Sequence, residues 1–256
     1  MNNLRKRLEE NQLAIGTHIS FDDPAISEMM GYAGYDFLWI DEEHTPLGKQ
    51  SIQNHIIAAK AAGTASIVRI PWNDQILAKS VLEMGPDGII FPMVNTAEEA
   101  KEAIASCCYP PEGIRGFGPR RAVKYGFDDS IDYVKKNGDF LKILQIETAK
   151  AVANLNDIIK VKGIDAFIIG PCDLSLSLSL NVFGDNVDGS FLKTIATAIQ
   201  KAKDAHIPIG VSMGSYSSED MKFWIEQGVD FLSVGGDVSY LKQGAVDAIQ
   251  NFKELR

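Results

Sequence analysis

The chain has 256 residues, with 25 basic and 34 acidic side chains and a formal net charge of -9. This length is close to the roughly 250 residues of one (β/α)8 barrel, so a single domain over residues 1–256 is the first expectation. The negative charge argues against binding to nucleic acid or to anionic membranes, although local arginines can still bind a small anionic substrate.

The three cysteines, Cys107, Cys108 and Cys172, show no repeated C-x-x-C spacing. They predict neither a disulfide framework nor a structural zinc site, and a reducing cytoplasm is the expected location. The segment Met1–Gln12 mixes Arg, Lys and Glu, and no apolar run approaches the 18 or so residues of a membrane span. We therefore expect a soluble protein that is not secreted.

Short apolar runs recur along the chain, and each precedes a longer segment with helical periodicity. Eight such runs predict parallel strands, and eight is the number that closes a barrel. In chain order the predicted strands are Ala14–Ile19, Asp36–Asp41, Ser66–Ile70, Gly88–Pro92, Leu141–Ile146, Ala166–Gly170, Pro208–Ser212 and Phe231–Gly235. Outer helices are predicted at Thr96–Ser106, Lys150–Val161 and Phe191–Ala205, where apolar residues recur at three- and four-residue spacing.

These strands are too short and too apolar for a half-solvated antiparallel sheet, so the sequence predicts an α/β fold, a (β/α)8 TIM barrel. A doubly wound open sheet is the alternative. No G-x-G-x-x-G or G-x-x-x-x-G-K motif follows the first strand, where such a sheet would bind a nucleotide phosphate. Two long connections, Cys108–Gly126 and Asp173–Ser190, are expected to rise over the open end of the barrel.

Two carboxylates follow neighbouring predicted strands, Glu147 after the fifth and Asp173 after the sixth. Residues at the carboxyl ends of barrel strands converge on one site, so this pair can hold a divalent cation and leave positions for substrate oxygens. The alternative is that each carboxylate caps the helix that follows it. Taken together, the two positions favour a metal site.

Arg69 ends the third predicted strand, where a charged side chain is unusual in a buried core. A fixed guanidinium at this position suits the stabilisation of an enolate or carboxylate oxygen. The alternative role is an ion pair with a nearby carboxylate: Asp41, Glu43 or Glu83. The two roles are compatible with each other.

Asp41 and His44 lie on the loop after the second predicted strand, close enough for the carboxylate to orient the imidazole. They are predicted to form an acid/base dyad. The alternative is a lone surface histidine, which is the interpretation that fits His55 and His206. His18 ends the first strand and faces the site, but nothing near it in the sequence assigns it a role.

Several motifs follow one another along nearly the whole chain. They are Gly34–Phe37 with Ile40-Asp41, Glu43-His44, Val68-Arg69 with Pro71–Asp74, Pro92–Val94, Tyr109–Pro111 with Gly113–Gly116, Gln145–Thr148, and Ile169–Pro171 with Asp173–Ser175. In this order the motifs resemble the class II pyruvate aldolases of the HpcH/HpaI type, a metal-dependent (β/α)8 family.

The resemblance implies reversible cleavage of a 4-hydroxy-2-oxo acid to pyruvate and an aldehyde. The substrate would be a compound such as 4-hydroxy-2-oxoheptanedioate or a 2-keto-3-deoxy sugar acid. The resemblance also implies a divalent cation, Mg2+, Mn2+ or Co2+, held by Glu147 and Asp173, with the keto acid bound through its keto and carboxylate oxygens. Arg69 matches the arginine that steadies the pyruvate enolate, while Asp41 and His44 match the dyad that moves the proton of the aldol hydroxyl.

Further positions are implied to line the same pocket. Backbone amides around Gly170, Cys172 and Asp173 would hold the pyruvate carboxylate, and Gln145 would lie beside it. Glu83, after the third strand, stands where many members have Asp and is a further catalytic candidate. The family also implies a homo-oligomer, a trimer or a hexamer, in which the segment Tyr240–Phe252 packs against a neighbour.

The chain departs from the family pattern in ways that bear on the aldehyde. Besides Glu83, Glu42 replaces a small residue and His18 replaces an apolar or aromatic one. Arg120 and Arg121 are expected to add two cations over the mouth, which suggests an acidic or polyhydroxy aldehyde.

Other functions compete with the aldolase interpretation. No lysine ends a predicted strand, which argues against an aldolase that uses a Schiff base. One alternative is a lyase of the same fold that acts on a CoA thioester, although no basic patch suits the phosphates of CoA. The other alternative is a keto-acid-binding protein that has lost turnover through the changes at Glu42 and His18.

Overall fold

The computed structural model describes residues 3–180 and 188–255 of the chain. Within these ranges eight parallel strands pair in chain order, and the first also pairs with the eighth, so the sheet closes into a barrel. The predicted (β/α)8 fold is confirmed, and every predicted strand lies within one residue of its predicted bounds. The strands are β1 (Ala14–Ile19), β2 (Phe37–Asp41), β3 (Ala65–Arg69), β4 (Gly88–Phe91), β5 (Leu141–Ile146), β6 (Ala166–Ile169), β7 (Ile209–Met213) and β8 (Phe231–Gly236).

Helices surround the barrel, and the three outer helices predicted from periodicity are confirmed with small shifts at their ends. The helices are α1 (Asn3–Glu9), α2 (Pro24–Ala33), α3 (Lys49–Ala61), α4 (Gln75–Leu82), α5 (Ala97–Cys107), α6 (Ser130–Lys135), α7 (Ala149–Ile158), α8 (Pro171–Ser177), α9 (Gly189–Asp204), α10 (Ser218–Glu226) and α11 (Asp237–Lys253). Polar side chains cap the amino-terminal ends of several helices. Thr96 and Glu99, for example, form a reciprocal capping box at the start of α5.

Alternation along each strand divides the apolar side chains into two cores. In β2, Leu38 and Ile40 face outward and pack under the helices, whereas Phe37 and Trp39 face the barrel interior. The interior cluster also contains Leu4 and Leu8 of α1, which close the amino-terminal end of the barrel. The carboxyl-terminal end remains the place for a site.

The predicted position of the connection Cys108–Gly126 is wrong. It follows α5 and leads through α6 to β5, so it belongs to the amino-terminal end of the barrel and not to the mouth. There, Nη1 of Arg121 donates a hydrogen bond to the carbonyl of Met84 at 2.7 Å, just before β4 begins. Arg120 is the chain neighbour of Arg121, so neither arginine lies over the mouth of its own chain.

The second predicted connection, Asp173–Ser190, begins within α8, and residues 181–187 lie outside the described residues. No helix of the described ranges is long and apolar enough to span a bilayer. The thiols of Cys107, Cys108 and Cys172 are free. A cytoplasmic location remains a prediction.

Candidate active site

Inward-facing side chains at the carboxyl ends of the strands form a polar mouth above the apolar interior. Asp41 and Arg69 end β2 and β3 and are direct neighbours in the parallel ladder. Gln145 ends the inward series of β5, and Glu147 follows that strand. Because these positions share one end of the barrel, the predicted site residues of β2, β3 and β5 do come together.

The guanidinium of Arg69 binds the carboxylate of Asp41 in a bidentate manner. Nε donates to Oδ1 at 2.9 Å, and Nη2 donates to Oδ2 at 2.8 Å. Nη1 lies 2.9 Å from Oε2 of Glu43, and the Arg69 guanidinium carbon lies 5.0 Å from the centre of the Trp39 ring. Burial alone would raise the pKa of Asp41, but the hydrogen bonds and charge of Arg69 hold that pKa below its ordinary value.

The predicted dyad of Asp41 and His44 takes a different form. Arg69 occupies the Asp41 carboxylate, which also accepts the backbone N–H groups of Glu43 at 3.1 Å and His44 at 3.5 Å. The His44 side chain is 64% exposed, and its Nε2 lies 3.8 Å from Oε2 of Glu43. Glu43 is therefore the carboxylate beside the imidazole, because the paired hydrogen bonds of Arg69 hold Asp41 elsewhere.

Glu147 is a buried carboxylate, 2% exposed. Oε1 accepts the backbone N–H of Met93 at 2.6 Å, and Oε2 accepts a short hydrogen bond from Nε2 of Gln145. Burial raises the pKa of Glu147 to about 7, and the nearby charges of Glu43 and Asp173 add to the rise. Three acidic side chains from different loops therefore act on one another at the mouth.

Gly170, Cys172 and Asp173 lie where β6 passes into α8. A Cβ at Gly170 would come within 2.9 Å of Nε2 of Gln145 and 3.1 Å of Oε2 of Glu147, so the glycine leaves space beside the buried carboxylate. Cys172 and Asp173 are exposed in the first turn of α8. The charge of Asp173 acts on Glu147, so Asp173 lies near the buried carboxylate, and a role of these three residues in binding a keto acid remains a prediction.

Neither predicted metal ligand caps a helix. Thr148, not Glu147, is the cap of α7, since its hydroxyl accepts the N–H of Ala151 at 3.0 Å. Gly170, not Asp173, is the cap residue of α8. The capping alternative is therefore wrong for both carboxylates, and helix capping does not explain why they lie at the mouth.

The oxygen donors around Glu147 suit a hard divalent cation. Oε1 of Gln145 is buried and has no hydrogen-bond partner among the described residues. Mg2+ and Mn2+ prefer such carboxylate and carbonyl oxygens, and positive charge beside Glu147 would offset its repulsion by Asp173. Residues 3–180 and 188–255 contain no group of three or more His, Cys, Asp or Glu side chains arranged around a metal. Two carboxylates would leave the remaining coordination positions to other oxygens, which is usual for Mg2+.

Glu83 does not join this site within one chain. It caps the carboxyl end of α4, and a helix that leaves β3 at the mouth has by then returned to the amino-terminal end of the barrel. Its Oε1 lies 3.5 Å from Nη2 of Arg115, whose guanidinium is fully buried against the rings of Tyr109 and Tyr133. Burial raises the pKa of Glu83, and the charge of Arg115 opposes the rise. The prediction that Glu83 stands at the mouth is wrong for a single chain.

The mouth also contains side chains that the sequence analysis missed or left without a role. Nε2 of His18 lies 3.1 Å from the hydroxyl of Ser212 on β7, and Nδ1 lies 2.9 Å from the carbonyl of Gly235 on β8. The alternation of Gly210 and Ser212 along β7 marks the inward face and would have identified Ser212. The partnership with His18 depends on closure of the barrel between β8 and β1, which local sequence does not reveal.

A cavity of about 850 Å³ opens at the opposite end of the barrel, lined by residues that include Arg5, Asp165 and Lys203. Arg5 there is paired with Asp165, Nη1 to Oδ1 at 2.9 Å. The carboxylates that repel one another, with the raised pKa of Glu147 among them, lie at the mouth, so the mouth is the candidate active site.

Comparison with known proteins gives one consistent family. The family model described as HpcH/HpaI aldolase/citrate lyase matches residues 15–243. The chain is 32% identical over 244 residues to the hydroxypyruvate/pyruvate aldolase of Roseobacter denitrificans, a match that covers 94% of this chain and 93% of that protein. It is also 32% identical over 245 residues to the 4-hydroxy-2-oxo-heptane-1,7-dioate aldolase of Shigella sonnei, with 95% and 92% covered.

The fold agrees with that of solved structures. An HpcH/HpaI aldolase/citrate lyase family protein from Burkholderia cenocepacia superposes with a TM-score of 0.90 at 28% identity, over 99% of this chain and 100% of that chain. The two curated relatives are named as aldolases, which are carbon-carbon lyases.

Proposed function

The chain belongs to the HpcH/HpaI aldolase/citrate lyase family, and from this premise we propose that it reversibly cleaves a 4-hydroxy-2-oxo acid to pyruvate and an aldehyde. The observation that carries the proposal is the guanidinium of Arg69, fixed by Asp41 at the same mouth as the buried carboxylate of Glu147. Cleavage breaks the bond between carbons 3 and 4 and leaves its electrons on the pyruvate fragment as an enolate. A preorganised cation stabilises the negative charge of that enolate.

Arg69 stabilises the enolate oxygen. Asp41 accepts two of the five N–H groups of the guanidinium, and the others remain for Glu43 and for a substrate oxygen. Because the side chain is only 8% exposed and lies against Trp39, it does not need to reorganise as charge develops.

Glu147 and Asp173 are the residues that would hold a divalent cation, Mg2+, Mn2+ or Co2+. Such a cation supplies a Lewis acid that polarises the 2-oxo group. Gln145 orients the Glu147 carboxylate through its amide N–H. The backbone around Gly170 and Cys172, at the start of α8, lies beside these groups and binds the carboxylate of the keto acid.

His44 transfers the proton of the aldol hydroxyl. Its imidazole is exposed at the mouth, where a substrate can reach it, and Glu43 lies within ion-pair distance of Nε2. Asp41 positions the same loop by accepting the backbone N–H groups of Glu43 and His44. We thus assign proton transfer to His44 and positioning to Asp41 and Glu43.

The exposed face of α11 supports a homo-oligomer. Leu241, Val246 and Ile249 are each more than half exposed and lie on one side of the helix, where they form an apolar stripe. On the other face, Tyr240 anchors the helix to the barrel through the hydroxyl of Thr17 at 3.0 Å. A second copy of the chain is the partner we propose for the stripe, in a trimer or a hexamer.

The function is tested by pyruvate release from a panel of 4-hydroxy-2-oxo acids. The purified protein is treated with EDTA, dialysed and assayed with and without added Mn2+, Mg2+ or Co2+. We expect activity to disappear with EDTA and to return with at least one metal. Release of no pyruvate from any substrate with any metal would overturn the proposal. Treatment with borohydride and pyruvate should leave the mass of the chain unchanged, because no Schiff base forms.

A further inference from the structure

A second polar patch of the mouth lies on β1 and β7, whereas Arg69 ends β3. Its members are His18 on β1 and Ser212 on β7, and both side chains are partly exposed. Both face inward, since Ala14 of β1 and Phe231 of β8 belong to the interior cluster, and a Cβ at Gly210 would collide with the ring of Phe231. Their exposure is therefore to the mouth of the barrel.

The hydrogen bonds of His18 fix its tautomer. The carbonyl of Gly235, 2.9 Å from Nδ1, can only accept, so Nδ1 carries the proton. The hydroxyl of Ser233 lies 3.3 Å from the same nitrogen and is fully buried. Burial lowers the pKa of His18, and the charge of Arg69 lowers it further, so the ring is neutral and Nε2 bears a lone pair.

The neutral ring determines what Ser212 can do. Nε2 of His18 accepts the proton of the Ser212 hydroxyl across 3.1 Å, so Oγ has no second proton to donate. The free lone pairs of Oγ can only accept a hydrogen bond from a ligand. The ring is held in place by its contact with Trp39, at 4.9 Å between ring centres. Ser212 is thus a fixed acceptor at the mouth.

The location of Ser212 corresponds to the aldehyde side of the proposed reaction. The groups assigned to the keto acid, Arg69, Glu147 and Asp173, come from β3, β5 and the loop after β6. On the remaining side, β8 ends in Gly235 and Gly236. A Cβ at Gly236 would lie 3.1 Å from Cβ of His18, so the absence of a side chain there leaves space beside the imidazole for a second reactant.

We propose that Ser212, with its proton held by His18, is a specificity-determining contact for the aldehyde, and that the preferred aldehyde carries a hydroxyl group that donates a hydrogen bond to Oγ of Ser212. This inference rests on the proposed aldolase function. It replaces the argument from Arg120 and Arg121, which suggested an acidic or polyhydroxy aldehyde, because those residues lie at the amino-terminal end of the barrel.

Three aldehydes of similar shape test the inference in the direction of addition to pyruvate. Glycolaldehyde can donate a hydrogen bond, propionaldehyde can neither donate nor accept at that position, and methoxyacetaldehyde can only accept. For the wild-type protein we expect kcat/KM for glycolaldehyde to exceed kcat/KM for each of the other two aldehydes by about five- to ten-fold, which is the effect of one neutral hydrogen bond. Comparison between variants removes differences in the intrinsic reactivity of the aldehydes.

In Ser212→Ala the preference for glycolaldehyde over propionaldehyde should fall by the same factor. In His18→Phe the introduced phenyl ring can still contact Trp39, but the Ser212 hydroxyl proton is free to be donated. The ratio of kcat/KM for methoxyacetaldehyde to kcat/KM for propionaldehyde should therefore be higher than in the wild-type protein. Ser233→Ala is the matched control, because it removes a fully buried hydroxyl from the other side of the imidazole and should keep the wild-type preference.

Exchange of the methyl protons of pyruvate in D2O, followed by NMR without any aldehyde, tests the proposed function separately. Absence of exchange and of pyruvate release in the wild-type protein would mean that the aldolase function itself fails. Exchange with the same aldehyde preferences in the wild-type protein and in Ser212→Ala would overturn the inference alone. A higher kcat/KM for methoxyacetaldehyde relative to propionaldehyde in His18→Phe would support the inference, because a purely structural role for His18 does not produce that change.

Discussion

The carboxylate of Asp41 and the guanidinium of Arg69 form two hydrogen bonds across neighbouring strands, with Nε to Oδ1 at 2.9 Å and Nη2 to Oδ2 at 2.8 Å. Both side chains are only 8% exposed, so the charges have little access to water. Such a pair is costly to break, because removal of Asp41 takes both hydrogen bonds from the buried guanidinium and leaves it with the ion pair to Glu43. The pair therefore has a structural consequence and a catalytic one, which a double-mutant cycle can separate.

We expect Asp41→Ala to lower the free energy of unfolding by about 3–5 kcal/mol, since Arg69 would lose its bidentate partner. The double variant Asp41→Ala/Arg69→Met should recover part of this loss while activity remains absent, because the enolate would then have no guanidinium. Urea unfolding and pyruvate release measure the two effects. If the losses of stability in the single variants simply add in the double variant, the two residues are not energetically coupled.

Metal binding should depend on Glu147 and not on surface carboxylates that lie away from the mouth. Replacement by Gln keeps the shape but removes the charge, so we expect the Kd for Mn2+, followed by the EPR signal of the free ion, to rise by at least about 10–100-fold. Asp157→Asn is the matched control, because Asp157 is exposed and pairs with Lys160 on the surface, at 2.8 Å. Equal Mn2+ affinity in Glu147→Gln and in the control would contradict the assignment of Glu147 as a ligand.

The sequence was sufficient to predict those parts of the site that depend on strand ends. Apolar runs that end in Asp41, Arg69 and Gln145 show both the strand and the end at which chemistry collects, because parallel strands bring their carboxyl ends together. These features depend on local pattern and on one topological rule.

The hydrogen-bond partner of Asp41 and the positions of Glu83, Arg120 and Arg121 could not be predicted in the same way. Whether Asp41 would face His44 or Arg69 depends on the register between β2 and β3, in which these two residues are paired. Glu83 was misplaced because the length and direction of α4 carry it to the far end of the barrel. Arg120 and Arg121 were misplaced because a connection from helix to strand lies opposite to the mouth.

His18 makes stability depend on pH. Its pKa is below the ordinary value of about 6.5, so its contribution to stability is complete above that value and is lost as pH falls through the folded-state pKa. Between pH 7 and pH 5 the wild-type protein should therefore lose more stability than His18→Phe, in which nothing titrates at this position. Thermal unfolding of both proteins across this range measures the difference. Parallel curves would show that His18 does not stay neutral in the folded protein.

The apolar stripe of α11 gives a prediction about assembly. Val246 and Ile249 are each more than half exposed, and a charge at either position would have to be buried if a second copy covers the stripe. We expect Val246→Glu and Ile249→Glu to shift the mass measured by light scattering toward the 28.0 kDa of one chain. Asn251→Glu adds the same charge on the face that carries Tyr240 and should keep the mass of the wild-type assembly. A wild-type mass of 28.0 kDa, or an unchanged assembly in both stripe variants, would show that the stripe does not join copies of the chain.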